Sequence, residues 1–187
     1  MERQSAIDIL AEGRGGAISV ATMQSVFPWQ EAGQSETLHV DAAQCMGSAS
    51  SLGLGLALAR PDHKVMVIDG DGSLLMQLGS LVTNAGAGPA NLYHFVMANG
   101  LNQSTGNQAL PGQGVFDWVA LAKASGYKHA MRITEAEELI EQLPKIWKLE
   151  GPVLIELIIE LEEGPARWTG VPMSKQVAAL KEQLAAS

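Results

Sequence analysis

A single cysteine, Cys45, stands among 187 residues, so the chain can form no internal disulfide, which fits a reducing compartment. Aromatic residues are scarce at 5%, but the 47% of hydrophobic residues can fill a globular core and excludes a wholly disordered chain. Basic residues are also few. Twelve Lys+Arg face 20 Asp+Glu, and the net charge of −8 argues against a general nucleic-acid binder, which needs a positive surface. No apolar run approaches the roughly 20 residues of a membrane helix. The opening stretch is broken by Glu2, Arg3, Asp8, Glu12 and Arg14, so it reads neither as a signal peptide nor as a span. The expectation is a cytoplasmic protein with no membrane or nucleic-acid partner. Repeats and low-complexity linkers are missing too, and the length suits one domain over 1–187. Neither a Gly-x-x-x-x-Gly-Lys loop nor a Gly-x-Gly-x-x-Gly follows the first strand, which sets aside a nucleotide binder built on those motifs. Four-cysteine iron–sulfur ligation is excluded by the cysteine count.

Glycine, by contrast, is abundant at 20 residues. Residues 4–12 have a helical pattern stopped by Gly13, Gly15 and Gly16. Ala17 to Ala21 reads as a buried strand, and 22–44 as loop containing Pro28, with a short strand at His39-Val40. From Met46 to Ala59, small residues and leucines alternate. The run is too long for most strands and too rich in Gly and Ala, so a buried helix is expected. Strands are predicted over 64–69, 91–98, 127–133 and 152–160, and helices over 74–84, 116–125 and 174–186. Thr134 with Glu137 marks a capping box for a helix running toward Trp147, with Pro144 kinking it or ending it early. Strands alternating with helices imply an α/β fold: a doubly wound, mostly parallel sheet with helices on both faces.

Ligands in such sheets bind beyond the carboxyl ends of the strands. One strand here ends in Gly70-Asp71-Gly72-Ser73, another in Asn99-Gly100-Leu101-Asn102. The glycines let backbone approach a ligand, and N–H groups at a helix start attract anionic oxygens. Asp71 is a hard oxygen ligand suited to Mg²⁺, and Asn99 offers a second oxygen. A Gly-Asp-Gly alone is most often only a turn. Its pairing with a strand-end Asn, a helix and a strand later, is far more specific.

Gly70-Asp71-Gly72 with Asn99 at this spacing resembles the thiamine-diphosphate-binding motif of the thiamine-diphosphate-dependent enzymes. The stretches 46–61, 72–81 and 104–108 are similar to those of phosphonopyruvate and sulfopyruvate decarboxylases, and the likeness covers the diphosphate-binding domain alone. The resemblance implies Mg²⁺ held by Asp71, Asn99 and the Leu101 carbonyl, with Gly70, Gly72 and Ser73 at the diphosphate. It implies that Met46 props the cofactor and that the Gln44 carbonyl accepts from its amino group. Gln44, where the family has Gly, and Ala98, in place of the first Asn of an Asn-Asn doublet, are departures. In the family a Glu that activates the cofactor lies on a separate pyrimidine-binding domain. Glu31 and Glu36 read as solvated loop residues, so the resemblance implies a partner α subunit carrying that Glu, in a hetero-oligomer acting on a 2-oxo acid. An acetolactate synthase-like carboligase subunit and a non-catalytic scaffold keeping the fold stay open.

His39 is the acid–base candidate, weighed against a merely structural role. His94 reads as a core histidine inside an apolar strand, and His63 and His129 as surface. Asn102, Gln103, Ser104 and Thr105 are candidates for the substrate wall. Cys45 is expected to be a small buried residue, and Trp29, Trp118, Trp147 and Trp168 core or interface aromatics. The nine Glu between 135 and 163 read as a solvated face.

Overall fold

The computed structural model describes residues 1–43, 45–161 and 171–186; Gln44 and Trp168 lie outside the described residues. The elements in chain order are α1 (Arg3–Gly13), β1 (Ile18–Ala21), α2 (Val26–Glu31), β2 (His39–Asp41), α3 (Ala49–Ala59), β3 (Val65–Gly70), α4 (Asp71–Met76), α5 (Ser80–Ala87) and β4 (Leu92–Ala98). A small hairpin follows, β5 (Leu101–Asn102) and β6 (Gln108–Ala109), then α6 (Trp118–Ser125), β7 (His129–Ile133), α7 (Ala136–Ile146), β8 (Val153–Ile158) and α8 (Met173–Ala186). Six strands form one parallel sheet in the order β2-β1-β3-β4-β8-β7. This is the expected α/β architecture.

The central strands are apolar at nearly every position because both faces are covered. Successive side chains point to opposite faces. Met66 and Ile68 of β3 join Phe95, Ile155 and Leu157 in a core closed by Ile7 and Leu10 of α1, Trp29 of α2 and Leu139 and Leu143 of α7. Val65 and Val67 face the other way, against Ala49 and Ala57 of α3 and Leu180 of α8. Beside them Val96 and Leu154 meet Leu74, Leu81 and Trp118. Gly53 lets α3 lie directly on β3, since a Cβ there would fall 2.2 Å from Val67 Cγ2.

Several expectations need correcting. The helix over 74–84 is two helices, α4 and α5, because Gln77 leaves helical geometry where it packs against the turn at Gly47. Helix α2 lies inside the stretch read as loop. Its Trp29 is fully buried and donates to Ser19 Oγ at 3.2 Å, and Pro28 sits early enough in the helix to be tolerated. Thr134 does not cap α7. Glu135 takes that position, and Glu138, not Glu137, reaches back to accept the Thr134 N–H at 3.3 Å. Helix α3 is buried on one side only, with Ser51, Gly55 and Leu58 exposed. Glu156, counted with the solvated face, is buried in β8 and accepts from Arg132 Nε at 2.8 Å. Among the described residues, no helix is long and apolar enough to cross a membrane.

Candidate cofactor site

The strand order reverses beside β1: the chain passes from β1 to β2 on one side, then to β3 on the other. Open sheets bind ligands at such a switch point, beyond the carboxyl ends of the strands. A cleft of about 440 Å³, counted to its open mouth, lies there. Thr22 and Met23 border it beyond β1, Gly70 to Ser73 at the β3–α4 junction, Asn99 and Leu101 beyond β4, and Ile159 beyond β8.

Asp71, the first residue of α4, is 3% exposed. Its Oδ1 accepts the Gly72 N–H at 2.8 Å and its Oδ2 the Gly100 N–H at 2.7 Å. The second bond ties the loop after β3 to the loop after β4. Burial pushes the Asp71 carboxyl up to about 6, although the backbone N–H bonds from Gly100 and Gly72 pull the other way. In the neighbouring loop, Asn99 Oδ1 accepts the Leu101 N–H at 3.0 Å, and Asn99 Nδ2 donates to Gln103 Oε1 at 3.3 Å. A Cβ on Gly72 would lie 2.3 Å from Asn102 Oδ1, so the Asn102 side chain sits directly against this backbone.

Asp71, Asn99 and Leu101, which border the cleft, have among them one carboxylate, one amide oxygen and one backbone carbonyl to offer. Among the described residues no three His, Cys, Asp or Glu side chains converge to hold a metal. An all-oxygen set with a single carboxylate fits a hard cation that completes its shell with phosphate oxygens and water, as Mg²⁺ does. It does not fit a metal that prefers sulfur or imidazole.

A second segment enters the cleft from below. Gly47, at φ +83°, makes the turn before α3, and a Cβ there would sit 2.9 Å from Gln77 Cβ. The turn presents Met46 to the cleft. Ser73 Oγ accepts the Gly47 N–H at 2.9 Å, so the Ser73 side chain ties the Met46 turn to the Gly-Asp-Gly loop. Asn102, Gln103 and Ser104 line the wall as anticipated, whereas Thr105 turns its hydroxyl to the Asn102 carbonyl and Gln108.

The structure does not bring His39 to this cleft. It begins β2, paired with Ser19 and two residues short of the strand's carboxyl end. Its Nδ1 lies 2.8 Å from Ser19 Oγ and its Nε2 2.6 Å from Asp41 Oδ1, so both ring nitrogens are engaged away from the cleft. Cys45 is exposed rather than buried. His94 is fully buried, as expected, but in polar company: Nε2 lies 3.2 Å from Asp69 Oδ2 and Nδ1 3.5 Å from the Tyr127 hydroxyl. Asp69 Oδ1 in turn accepts the Gly70 N–H at 2.9 Å, beneath the Gly-Asp-Gly loop. Lining residues that sequence reasoning missed are Arg3, Thr22, Met23, Gln24, Ser25, Met97 and Ile159. Position at the end of an apolar strand was an available signal for Thr22, Met97 and Ile159. Nothing local marked Arg3.

Residues 16–157 match the family described as thiamine pyrophosphate enzyme, C-terminal TPP binding domain. Among curated proteins, the phosphonopyruvate decarboxylase of Streptomyces viridochromogenes is 42% identical over 121 residues, 65% of this chain and 30% of that protein. The sulfopyruvate decarboxylase subunit beta of Methanothermobacter thermautotrophicus is 46% identical over 115 residues, 62% of this chain and 58% of its own length. The corresponding subunit of Methanocaldococcus jannaschii is 57% identical over 63 residues, 34% of this chain and 33% of that one. The alignment thus spans about a third of the Streptomyces protein and somewhat more than half of the Methanothermobacter subunit. The chain belongs to the thiamine pyrophosphate enzyme family, as a C-terminal-type TPP-binding domain.

Proposed function

We propose that the chain is the thiamine-diphosphate- and Mg²⁺-binding subunit of a 2-oxo acid decarboxylase, a single diphosphate-binding domain that works in the cytoplasm with a pyrimidine-binding partner. The observation that carries this reading is the clasp between the two loops: Gly100 N–H on Asp71 Oδ2, with Asp71, Asn99 and Leu101 lining one cleft. Asp71, Asn99 and the Leu101 carbonyl would hold Mg²⁺, with Gly70, Gly72 and Ser73 along the diphosphate. The apolar side chains of Met46, Met97 and Ile159 would exclude water from the reacting end. Thiamine diphosphate, when bound, supplies the electron sink that lets a 2-oxo acid lose CO₂.

The activating carboxylate is assigned to the partner, and the relatives named as beta subunits support a two-chain enzyme. With saturating thiamine diphosphate and Mg²⁺, the chain alone should decarboxylate 2-oxo acids negligibly, and addition of the partner should restore turnover. Full turnover by the chain alone would refute the assignment. A carboligase outcome is the second reading, favoured by 30% identity over 129 residues to acetolactate synthase 2, chloroplastic, of Brassica napus. Product analysis, aldehyde against acetohydroxy acid, separates the two.

The raised carboxyl of Asp71 gives this site a pH dependence. The metal needs the ionised form, so Mg²⁺ affinity should fall as pH drops through about 6, by up to about tenfold per unit below it. The metal-free chain behaves oppositely. A carboxyl whose folded pKa is raised favours folding when protonated, so stability is lost as pH rises from about 4 to about 6. Mg²⁺ titrations by calorimetry and unfolding midpoints between pH 4 and 8 would show both slopes.

A further inference from the structure

Asp69 of β3 and His94 of β4 are fully buried, and neither lines the cleft. The register sets Val67 beside His94 and Asp69 beside Val96, so Asp69 and His94 are diagonal neighbours on one face of the sheet. An ionised carboxylate only accepts, so His94 Nε2 donates to Asp69 Oδ2 at 3.2 Å. His94 Nδ1 is then an acceptor, and it lies 3.5 Å from the Tyr127 hydroxyl. The hydroxyl oxygen in turn accepts from Asn84 Nδ2 at 3.1 Å, which leaves its proton for the imidazole. The donations therefore run one way, from Asn84 of α5 through Tyr127 and His94 to the end of β3. They finish on Asp69, whose Oδ1 accepts the Gly70 N–H at 2.9 Å.

Gly70 is the point where strand becomes helix: it is extended, at φ −95° and ψ 149°, and Asp71 begins α4. The Gly72 and Gly100 N–H groups hold the Asp71 carboxylate itself, whereas Asp69 holds the backbone from which it departs. Stability does not account for this network. A buried ionic pair is seldom better than apolar residues of the same volume, and Asn84 Oδ1 is buried with no partner among the described residues. We propose that His94 is a positioning residue for the metal site, acting through Asp69 on the Gly70–Asp71 backbone, and that it sets the site's preference for a small divalent cation over a larger one. Mg²⁺ demands near-ideal octahedral geometry at about 2.1 Å, whereas Ca²⁺ accepts irregular shells at about 2.3–2.6 Å. A loop free to shift therefore loses affinity for Mg²⁺ and keeps it for Ca²⁺. This assignment rests on the reading that Asp71, Asn99 and the Leu101 carbonyl hold the metal.

The test titrates the full chain calorimetrically with thiamine diphosphate, in Mg²⁺ alone and in Ca²⁺ alone, and takes the ratio of the two affinities. His94→Leu should lower the Mg²⁺-to-Ca²⁺ ratio by about tenfold or more. His94→Gln, which keeps a donor for Asp69, should restore most of it. Tyr127→Phe removes only the hydroxyl beside the ring and leaves the strands untouched. It should lower the ratio by about threefold, and it keeps the test open if His94→Leu fails to fold. Leu143→Ala opens a cavity in the core on the opposite face of the sheet. It should destabilise the chain yet leave the ratio within about twofold of wild type. A ratio unchanged in every folded His94 and Tyr127 variant overturns the proposal. So does a Leu143→Ala chain whose ratio falls as far as theirs, because the ratio would then follow stability alone. A wild-type chain that binds thiamine diphosphate with neither cation strikes the metal-site reading itself, and the His94 assignment with it.

Discussion

Replacing Asp71 by Ala should abolish Mg²⁺-dependent binding of thiamine diphosphate, with an affinity loss on the order of 100-fold or more. The expectation follows from the donor set, which holds one carboxylate among neutral oxygens. Without it the cation would be held by an amide and a carbonyl, neither of which offsets its charge. Calorimetric titration of cofactor with and without Mg²⁺ reads the effect directly. Folding should survive, because two terms oppose each other in the metal-free chain. The substitution removes a carboxyl that burial holds at about 6, but it also strips the Gly72 and Gly100 N–H groups of their acceptor. Cofactor affinity equal to wild type would sink the site as drawn and favour a scaffold that keeps only the fold.

His94→Leu should lower stability by about 3 kcal/mol. Leu fills the volume but leaves the Asp69 carboxylate, whose side chain is 1% exposed, without its imidazole partner. The remaining acceptance from the Gly70 N–H does not neutralise a charge at that depth. The Tyr127 hydroxyl, which burial pushes up to about 12, also loses the ring nitrogen 3.5 Å away and keeps only the Asn84 amide at 3.1 Å. His94→Gln, which retains a donor, should cost less. Denaturant unfolding of the two variants decides the matter, and a loss below about 1 kcal/mol for His94→Leu would show that the Asp69–His94 pair contributes little. Because Asp69 grips the backbone just before Gly70, the same substitution should also loosen the metal loop.

The strands were the most legible part of the molecule. Runs such as Val65 to Ile68 and Leu92 to Ala98 are continuous because neighbouring helices cover both faces, and such runs stand out in any sequence. The Gly-Asp-Gly loop and Asn99 were legible for a related reason: polar residues at the ends of apolar strands are conspicuous. Helix α2 was hidden because its reason for existing is tertiary, the burial of Trp29, while Pro28 and its polar neighbours argue locally for a loop. The break between α4 and α5 depends on contact with the distant Gly47 turn, which no local pattern records. His39 was misplaced because nearness in sequence to the cofactor stretch does not fix direction, and its ring turns toward Ser19 and Asp41. Arg3 was missed for the converse reason. It reaches the cleft from a helix far away in sequence, with nothing in its neighbours to mark it.

The strand order carries a consequence for how the molecule is made. Every neighbouring pair in the main sheet is parallel, so each pairing must wait for a crossover to close. The β4–β8 pair joins Tyr93 to Val153 across the whole of the hairpin, α6, β7 and α7. Only after that closure does the Ile159 N–H reach the Ala98 carbonyl, at 3.0 Å, and bring Ile159 to the cleft. Refolding dominated by such distant pairings is slow, on the millisecond-to-second scale typical of non-local topologies. One wall of the cleft thus depends on the β4–β8 pairing, and a chain stalled before β8 docks would have its Gly-Asp-Gly loop but lack that wall.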